Sequence, residues 1–188
     1  ANMAQAPGDV YTLARGQGLI EAGKPLLEAL KVLAAAFSTK ADTFGQILKV
    51  GRTQLRDAVL MTVGQEFRAF QHTIENEIRC IRDSLSMFLQ VNLGGTAIGT
   101  GLNTDPRYRD LAIRELQILT GQPVESVPDL IEATSDVGAF VAFSGQLKKL
   151  ALKLSKISND LRLLSSGPRA GLEEITLPAV QAGSSIMP

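Results

Sequence analysis

Phe140, Phe143, Leu147, Leu150, Leu154, Ile157, Leu161 and Leu164 follow one another at spacings that alternate between three and four residues. Such spacing lays one continuous apolar seam along a helix. Lys148, Lys149, Lys153, Lys156, Asp160 and Arg162 fall between the seam positions, so the remaining faces can meet water. At about 1.5 Å per residue the segment makes a rod of roughly 37 Å, longer than a small domain needs to cross its core. A rod of this kind requires partner helices. Ser165-Ser166-Gly167-Pro168 follows directly, where glycine permits a left-handed cap and proline cannot extend the helix.

Two further seams supply partners. Leu19, Gly23, Leu26, Leu30, Leu33, Phe37, Ala41, Phe44 and Leu48 step by three or four residues, with Pro25 as a kink point because it removes a backbone donor. Val63, Phe67, Phe70, Ile74, Ile78, Ile81, Leu85 and Phe88 form the third seam. The first half of residues 1–18, which holds Pro7-Gly8, reads as a loop. Gly51 to Leu60 breaks the period and reads as an ordered loop. Gly94 to Gly101 interrupts the third seam, a shorter helix is expected from about Pro106 to Thr120, and Gly121-Gln122-Pro123 turns the chain toward Asp129, a plausible helix cap. Few segments have strand character. The expected fold class is all-α, an elongated bundle of long helices. Seams this long commonly need more surface than one chain supplies, which favours an oligomer, with a monomeric bundle as the alternative.

Composition narrows the partners. Nineteen basic and nineteen acidic side chains balance, which removes the electrostatic argument for nucleic acid or an anionic membrane surface. No apolar run is long enough to span a bilayer. The single cysteine, Cys80, cannot form an internal disulfide and reads as structural or inert, and no cationic-apolar start resembles a signal peptide; a cytoplasmic location is the expectation.

Several motifs fail as sites. GGTAIGTG lacks the Gly-Lys-Ser/Thr ending of a phosphate-binding loop and follows no strand, so nucleotide binding is rejected. His72, the sole histidine, lies in a charged helical stretch and reads as a surface residue. No histidine or cysteine cluster could hold zinc, and no cofactor is expected. The lysines of KKLALKLSK read as a solvated helix face. Ser184 and Ser185, taken on local residues alone, are ordinary loop serines without an adjacent base.

Three blocks change that reading of the serines. GSSIMP (Gly183 to Pro188) resembles the start of the signature loop GSSxMPxKxN of the aspartase/fumarase superfamily, and GRTQLRDAVLMTVGQEF (Gly51 to Phe67) and GGTAIGTGLN (Gly94 to Asn103) resemble two further blocks of it. Thr53-Gln54, Asp129 to Thr134, Asn159 to Leu164 and Gln181 to Ser184 look more like bacterial aspartate ammonia-lyases than like fumarases. The resemblance covers essentially the whole chain. It implies the central helical, tetramerisation domain over residues 1–188, a partial catalytic loop at 181–188, and the absence of the family's N- and C-terminal domains. It also implies a homotetramer whose sites each draw on three subunits and act on aspartate or fumarate.

By the same resemblance Ser184 would be the general base, Ser185 would donate to a substrate carboxylate, Thr53 would hold the other carboxylate, and Gln54 would stand near the leaving group. One departure is severe. The family's Ser-Thr-Asn run corresponds to Ala6, Pro7 and Gly8, which carry no side-chain donors. Losing three substrate contacts could cost on the order of 5 kcal/mol of transition-state binding. The lysine and asparagine that follow GSSIMP in the family lie beyond Pro188. The expectation is therefore a fragment, or a truncated and decaying copy, inactive or severely impaired as an aspartase-like lyase. Two alternatives stand beside it: a non-catalytic helical oligomerisation module, and, within the family, a fumarase-like hydratase.

Overall fold

The computed structural model describes residues 5–180. Helix α1 (Pro7–Thr43) is followed by a hairpin of strands β1 (Leu48–Thr53) and β2 (Arg56–Thr62), then by helix α2 (Val63–Ser86) and a 3₁₀ turn at Met87–Leu89. Strand β3 (Gln90–Val91), helix α3 (Tyr108–Thr120), strand β4 (Glu125–Ser126), helix α4 (Leu130–Ser135) and helix α5 (Gly138–Leu164) complete the order. The expected all-α bundle is present: α1, α2 and α5 run up, down and up beside one another. Their apolar faces make the main core.

The seams explain why these helices pair. Leu30, Ala34, Phe37 and Ala41 of α1 meet Phe67, Phe70, Ile74, Ile78 and Ile81 of α2, all buried. Phe37, Phe44, Phe67 and Phe70 form an aromatic cluster with ring centroids 5.5–6.2 Å apart and tilted or edge-on rings, the arrangement aromatic quadrupoles favour. On α5 the fully sequestered seam residues are Phe143, Leu150, Ile157 and Leu164, one per heptad, as a rod packed along α2 requires. Close approach is helped by small residues. A Cβ on Gly64 would lie 2.4 Å from the Ala41 carbonyl oxygen, and one on Gly23 would lie 2.4 Å from a Leu85 methyl.

Two of the expected loops need correction. Pro7-Gly8 is not a loop, because helix α1 starts there and runs to Thr43, ending short of Leu48. Proline at the first helical position needs no donor and has φ preset for the helix. Asp9, one turn in, accepts from the Ala6 backbone N–H at 3.4 Å and places an anion at the positive end of the helix dipole. Gly51 to Leu60 is likewise not a loop. It is most of the β1–β2 hairpin, whose register shifts between Val50 and Arg52, where Gly51 forms the irregularity. Residues 56–60 are exposed throughout, so the two-residue alternation that betrays a half-buried strand never appears.

A smaller core of Val91, Leu93, Ile113 and Val124 ties α3 to the short parallel β3–β4 pair. The Gly94–Gly101 segment forms tight turns beside it; contrary to expectation it does follow a strand, β3, and only the missing Gly-Lys-Ser/Thr ending still separates it from a phosphate-binding loop. A Cβ on Gly99, which has φ +92°, would meet the Ile131 backbone at 2.4 Å, so this loop is pressed against α4. Asp129 caps α4 as expected, accepting from the N–H groups of Ile131 (2.8 Å) and Glu132 (3.2 Å).

The lysines of the 148–156 stretch divide. Lys148 and Lys156 face solvent, Lys156 pairing with Asp160 on its own helix. Lys149 and Lys153 instead turn toward Glu77 of α2, which is fully buried and also accepts from Gln146 at 2.5 Å. Both ammonium groups stay partly in water, at 43% and 37% side-chain exposure. The arrangement is therefore asymmetric. Replacing both lysines by methionine strands a buried carboxylate and should cost about 3 kcal/mol or more, whereas Glu77→Met lets the lysines swing outward and should cost less than about 1.5 kcal/mol. Urea unfolding of the two variants checks this, and the reverse order would contradict it.

Candidate functional site

Thr53 is the last residue of β1 and pairs with Arg56 across the hairpin turn. The two turn residues, Gln54 and Leu55, have φ of 51° and 62°, the left-handed pair that a tight two-residue hairpin demands. Neither is glycine or asparagine, so the turn is held against a local conformational cost. Thr53 and Gln54 are both exposed at the tip. They project from one end of the bundle.

The base of that hairpin is fastened by charge. Lys49 Nζ of β1 pairs with Glu66 of α2 and lies 2.9 Å from Glu174 Oε2, in the segment that follows α5. Arg52 Nη1 of β1 lies 2.5 Å from Glu174 Oε1, and Arg52 Nε lies 3.7 Å from Asp57 of β2. The Lys49 side chain is 6% exposed and that of Glu174 16%. Burial alone would push the Glu174 carboxyl up, but the Lys49 and Arg52 cations paired with it outweigh that and hold the group below the ordinary carboxylate value. Burial would likewise pull Lys49 down. Its hydrogen bond to Glu66 and its ion pair with Glu174 win, and the ammonium is held above the usual lysine value. Sequence inspection missed this network, since Glu174 lies far along the chain from Lys49 and Arg52.

Ala6, Pro7 and Gly8 sit at the opposite end, at the start of α1. There Asp9, buried to 1% exposure, accepts from the Thr96 backbone N–H at 3.0 Å and so binds the GGTAIGTG loop to the helix. No sequence signal short of the capping position marked Asp9. A cavity of about 420 Å³ lies nearby, lined in part by Thr12, Gly16, Phe88, Asn92, Glu132, Asp136 and Phe140. Its charged lining residues are the carboxylates Glu132 and Asp136, the wrong sign for a dicarboxylate substrate.

The 36 residue steps of α1 span about 54 Å. The Val63 N–H bonds the Ile47 carbonyl at 2.9 Å, which fixes the foot of the hairpin at the far end of that helix. From there β1 reaches about 17 Å to Thr53. Thr53 and residues 6–8 of one chain are thus separated by more than about 30 Å. Ser184 and Ser185 lie outside the described residues.

Other candidates behave as surface chemistry dictates. The His72 side chain is 63% exposed, with Nδ1 3.1 Å from Glu75. Cys80 is free and half-buried. Among the described residues no group of histidine, cysteine, aspartate and glutamate side chains could hold a metal ion, and no helix is long and apolar enough to cross a membrane.

The model of a family described as lyase matches residues 1–188. The chain is 56% identical over 188 residues to an aspartate ammonia-lyase of Pseudomonas canavaninivorans and 54% identical over 187 residues to that of Escherichia coli strain K12. All of this chain is covered in both cases, but only 40% and 39% of those relatives. The chain thus spans about two-fifths of the length of the curated relatives it matches. Among solved structures it resembles a fumarate lyase/delta crystallin from Brucella melitensis bound to cobalt, with TM-score 0.94 and 51% identity, covering 100% of this chain and 41% of that one. It also resembles a class II fumarase from Schistosoma mansoni, with TM-score 0.86 and 30% identity, covering 100% and 42%. Matching in sequence along its whole length and in the course of its helices, the chain belongs to the aspartase/fumarase superfamily of lyases.

Proposed function

We propose that residues 1–188 are the central helical domain of an aspartase-like lyase, whose family reaction, carried out by a cytoplasmic homotetramer, eliminates ammonia from L-aspartate to give fumarate, and that this chain by itself is inactive or severely impaired. The observation that carries the assembly is the separation of Thr53 from residues 6–8 by most of the length of α1. A four-carbon dicarboxylate cannot touch both ends of one chain. Antiparallel neighbours could bring the start of one α1 to the hairpin tip of another, and the exposed apolar side chains Val32, Val141 and Leu152 on the outer helix faces supply surface for such packing.

In this reading the Ser184 oxyanion removes a proton from C3 of aspartate. The electron pair is drawn into the adjacent carboxyl group, which becomes a doubly charged aci-carboxylate. Collapse of that species forms the C2–C3 double bond and expels the amine from C2 as ammonia. The developing charge must be met by donors already in place, the role given to Ser185, while Thr53 at the hairpin tip holds the other carboxylate and Gln54 lies beside the leaving group. Serine can serve as a base only where closure excludes water and nearby dipoles stabilise its deprotonated form. No metal or cofactor takes part in these steps.

Ala6, Pro7 and Gly8 weaken the other half of the site. They contribute no side-chain hydrogen bond, and helix α1 begins where the family's polar run would lie. This favours a second reading, an oligomerisation module that keeps the bundle without the chemistry. A hydratase is favoured less, since identity to the aspartate ammonia-lyases exceeds that to the fumarase.

Turnover is followed by the rise of fumarate absorbance from aspartate at high protein concentration. The expected result is no rate above background, in keeping with a transition-state loss on the order of 5 kcal/mol. Robust activity would refute the claim that the groups missing at residues 6–8 matter. Sedimentation equilibrium at micromolar concentration addresses the assembly. Four chains per particle are expected, and a well-folded monomer would sink the tetramer.

A further inference from the structure

Glu174 stands in the segment between α5 and the GSSIMP motif, while Arg52 immediately precedes Thr53. The two make direct contact, Glu174 Oε1 to Arg52 Nη1 at 2.5 Å, and Lys49 holds the second oxygen of the same carboxylate. The backbone reinforces this seat. The Glu174 N–H donates to the carbonyl of Leu164, the last residue of α5, at 2.9 Å, and the Glu173 N–H donates to the Ser166 carbonyl at 2.8 Å. A chain segment with little regular structure is thereby pinned to a hairpin whose turn lacks glycine. Few surface ion pairs hold anything so firmly, but these groups are largely buried and each cation serves more than one acid.

We infer that Glu174, Arg52 and Lys49 are positioning residues, an ionic clasp that sets the hairpin tip bearing Thr53 and Gln54 relative to the root of the segment leading to Ser184. The functional meaning rests on the substrate-holding role proposed for Thr53 and Gln54. The clasp touches no substrate itself. It works by denying the hairpin its freedom to swing about Ile47, and it does so without lengthening either strand.

The charged groups facing Glu174 are Lys49 and Arg52 from β1, with Glu66 of α2 reached through Lys49 and Asp57 of β2 through Arg52. Because the folded Glu174 titrates below its unfolded value, its contribution is complete above the ordinary carboxylate range and is lost as pH falls through the lower, folded value. Lys49 titrates above its unfolded value, so its share is complete below the ordinary lysine range and is lost as pH rises through the folded value. The clasp should hold throughout the neutral range.

Hydrogen–deuterium exchange on the full 188-residue chain tests this without substrate, so its outcome is independent of whether the chain turns over aspartate. With Glu174→Gln, amides of residues 50–60 and 172–176 should exchange about tenfold faster or more at neutral pH, while those in the core of α1, α2 and α5 keep their rates. Glu174→Asp, which keeps the negative charge that Lys49 and Arg52 both face, should keep hairpin exchange distinctly slower than in Glu174→Gln, and the wild-type chain should reach the Glu174→Gln behaviour only at acid pH, after correction for intrinsic exchange. Three results would overturn the inference: a hairpin unchanged by Glu174→Gln, equal loosening of all three helices, or Glu174→Asp exchanging as fast as Glu174→Gln.

Discussion

Everything in this chain depends on the packing of α1 against α2. Thirty-seven residues of α1 bury one face on a helix that returns alongside it, and the aromatic cluster of Phe37, Phe44, Phe67 and Phe70 closes the pair at the hairpin end. The joint tolerates no side chain at Gly64, whose Cβ would strike the Ala41 carbonyl oxygen and the Gly45 backbone. This rigidity has a consequence for chemistry. It holds the start of α1 and the hairpin tip at opposite ends of the molecule, so groups placed there cannot meet within a chain.

The two ends are built by different means. At one, Asp9 buries its carboxylate beneath the Gly94–Gly101 loop, using a backbone N–H as partner and so fixing a glycine-rich segment. At the other, four charges of balanced sign join β1, α2 and the segment after α5. Between them Glu77 sits fully buried with two lysines that reach it from the solvent side. Burying ions contributes little net stability, but mismatched registers would leave them unpaired at a cost of several kcal/mol. The helices supply the cohesion and the buried ions help set the alignment.

The seams of α2 and α5 could be read from the residues, because an apolar side chain every three or four positions has few other meanings. The course of α1 was half visible. Its interior repeats cleanly from Leu19, but Pro7-Gly8 carries the same composition as a turn, and only Asp9 reaching back to the Ala6 N–H shows that proline opens the helix. The hairpin was hidden for a different reason. Its second strand is exposed over residues 56–60 and so has no buried face to impose alternation. Thr53 and Gln54 came from resemblance to a family, and the structure adds that they sit at the tip of that hairpin, Thr53 ending β1 and Gln54 opening its turn. Glu77 and Glu174 could not be found from sequence, since an acid reveals its partner by proximity in space, and theirs lie on other elements.

The central claim is that a complete site requires more than one chain. It is tested most directly by electron–electron distance measurements between spin labels in a Cys80→Ser background. A chain carrying Gly8→Cys and Gln54→Cys, diluted into unlabelled protein, reports the distance within one chain; chains labelled singly at each position and then mixed report the distance between chains. The account expects a separation above about 30 Å in the first sample and a distinctly shorter one in the second. A short distance within a single chain, or no proximity between chains in the assembled protein, would contradict it.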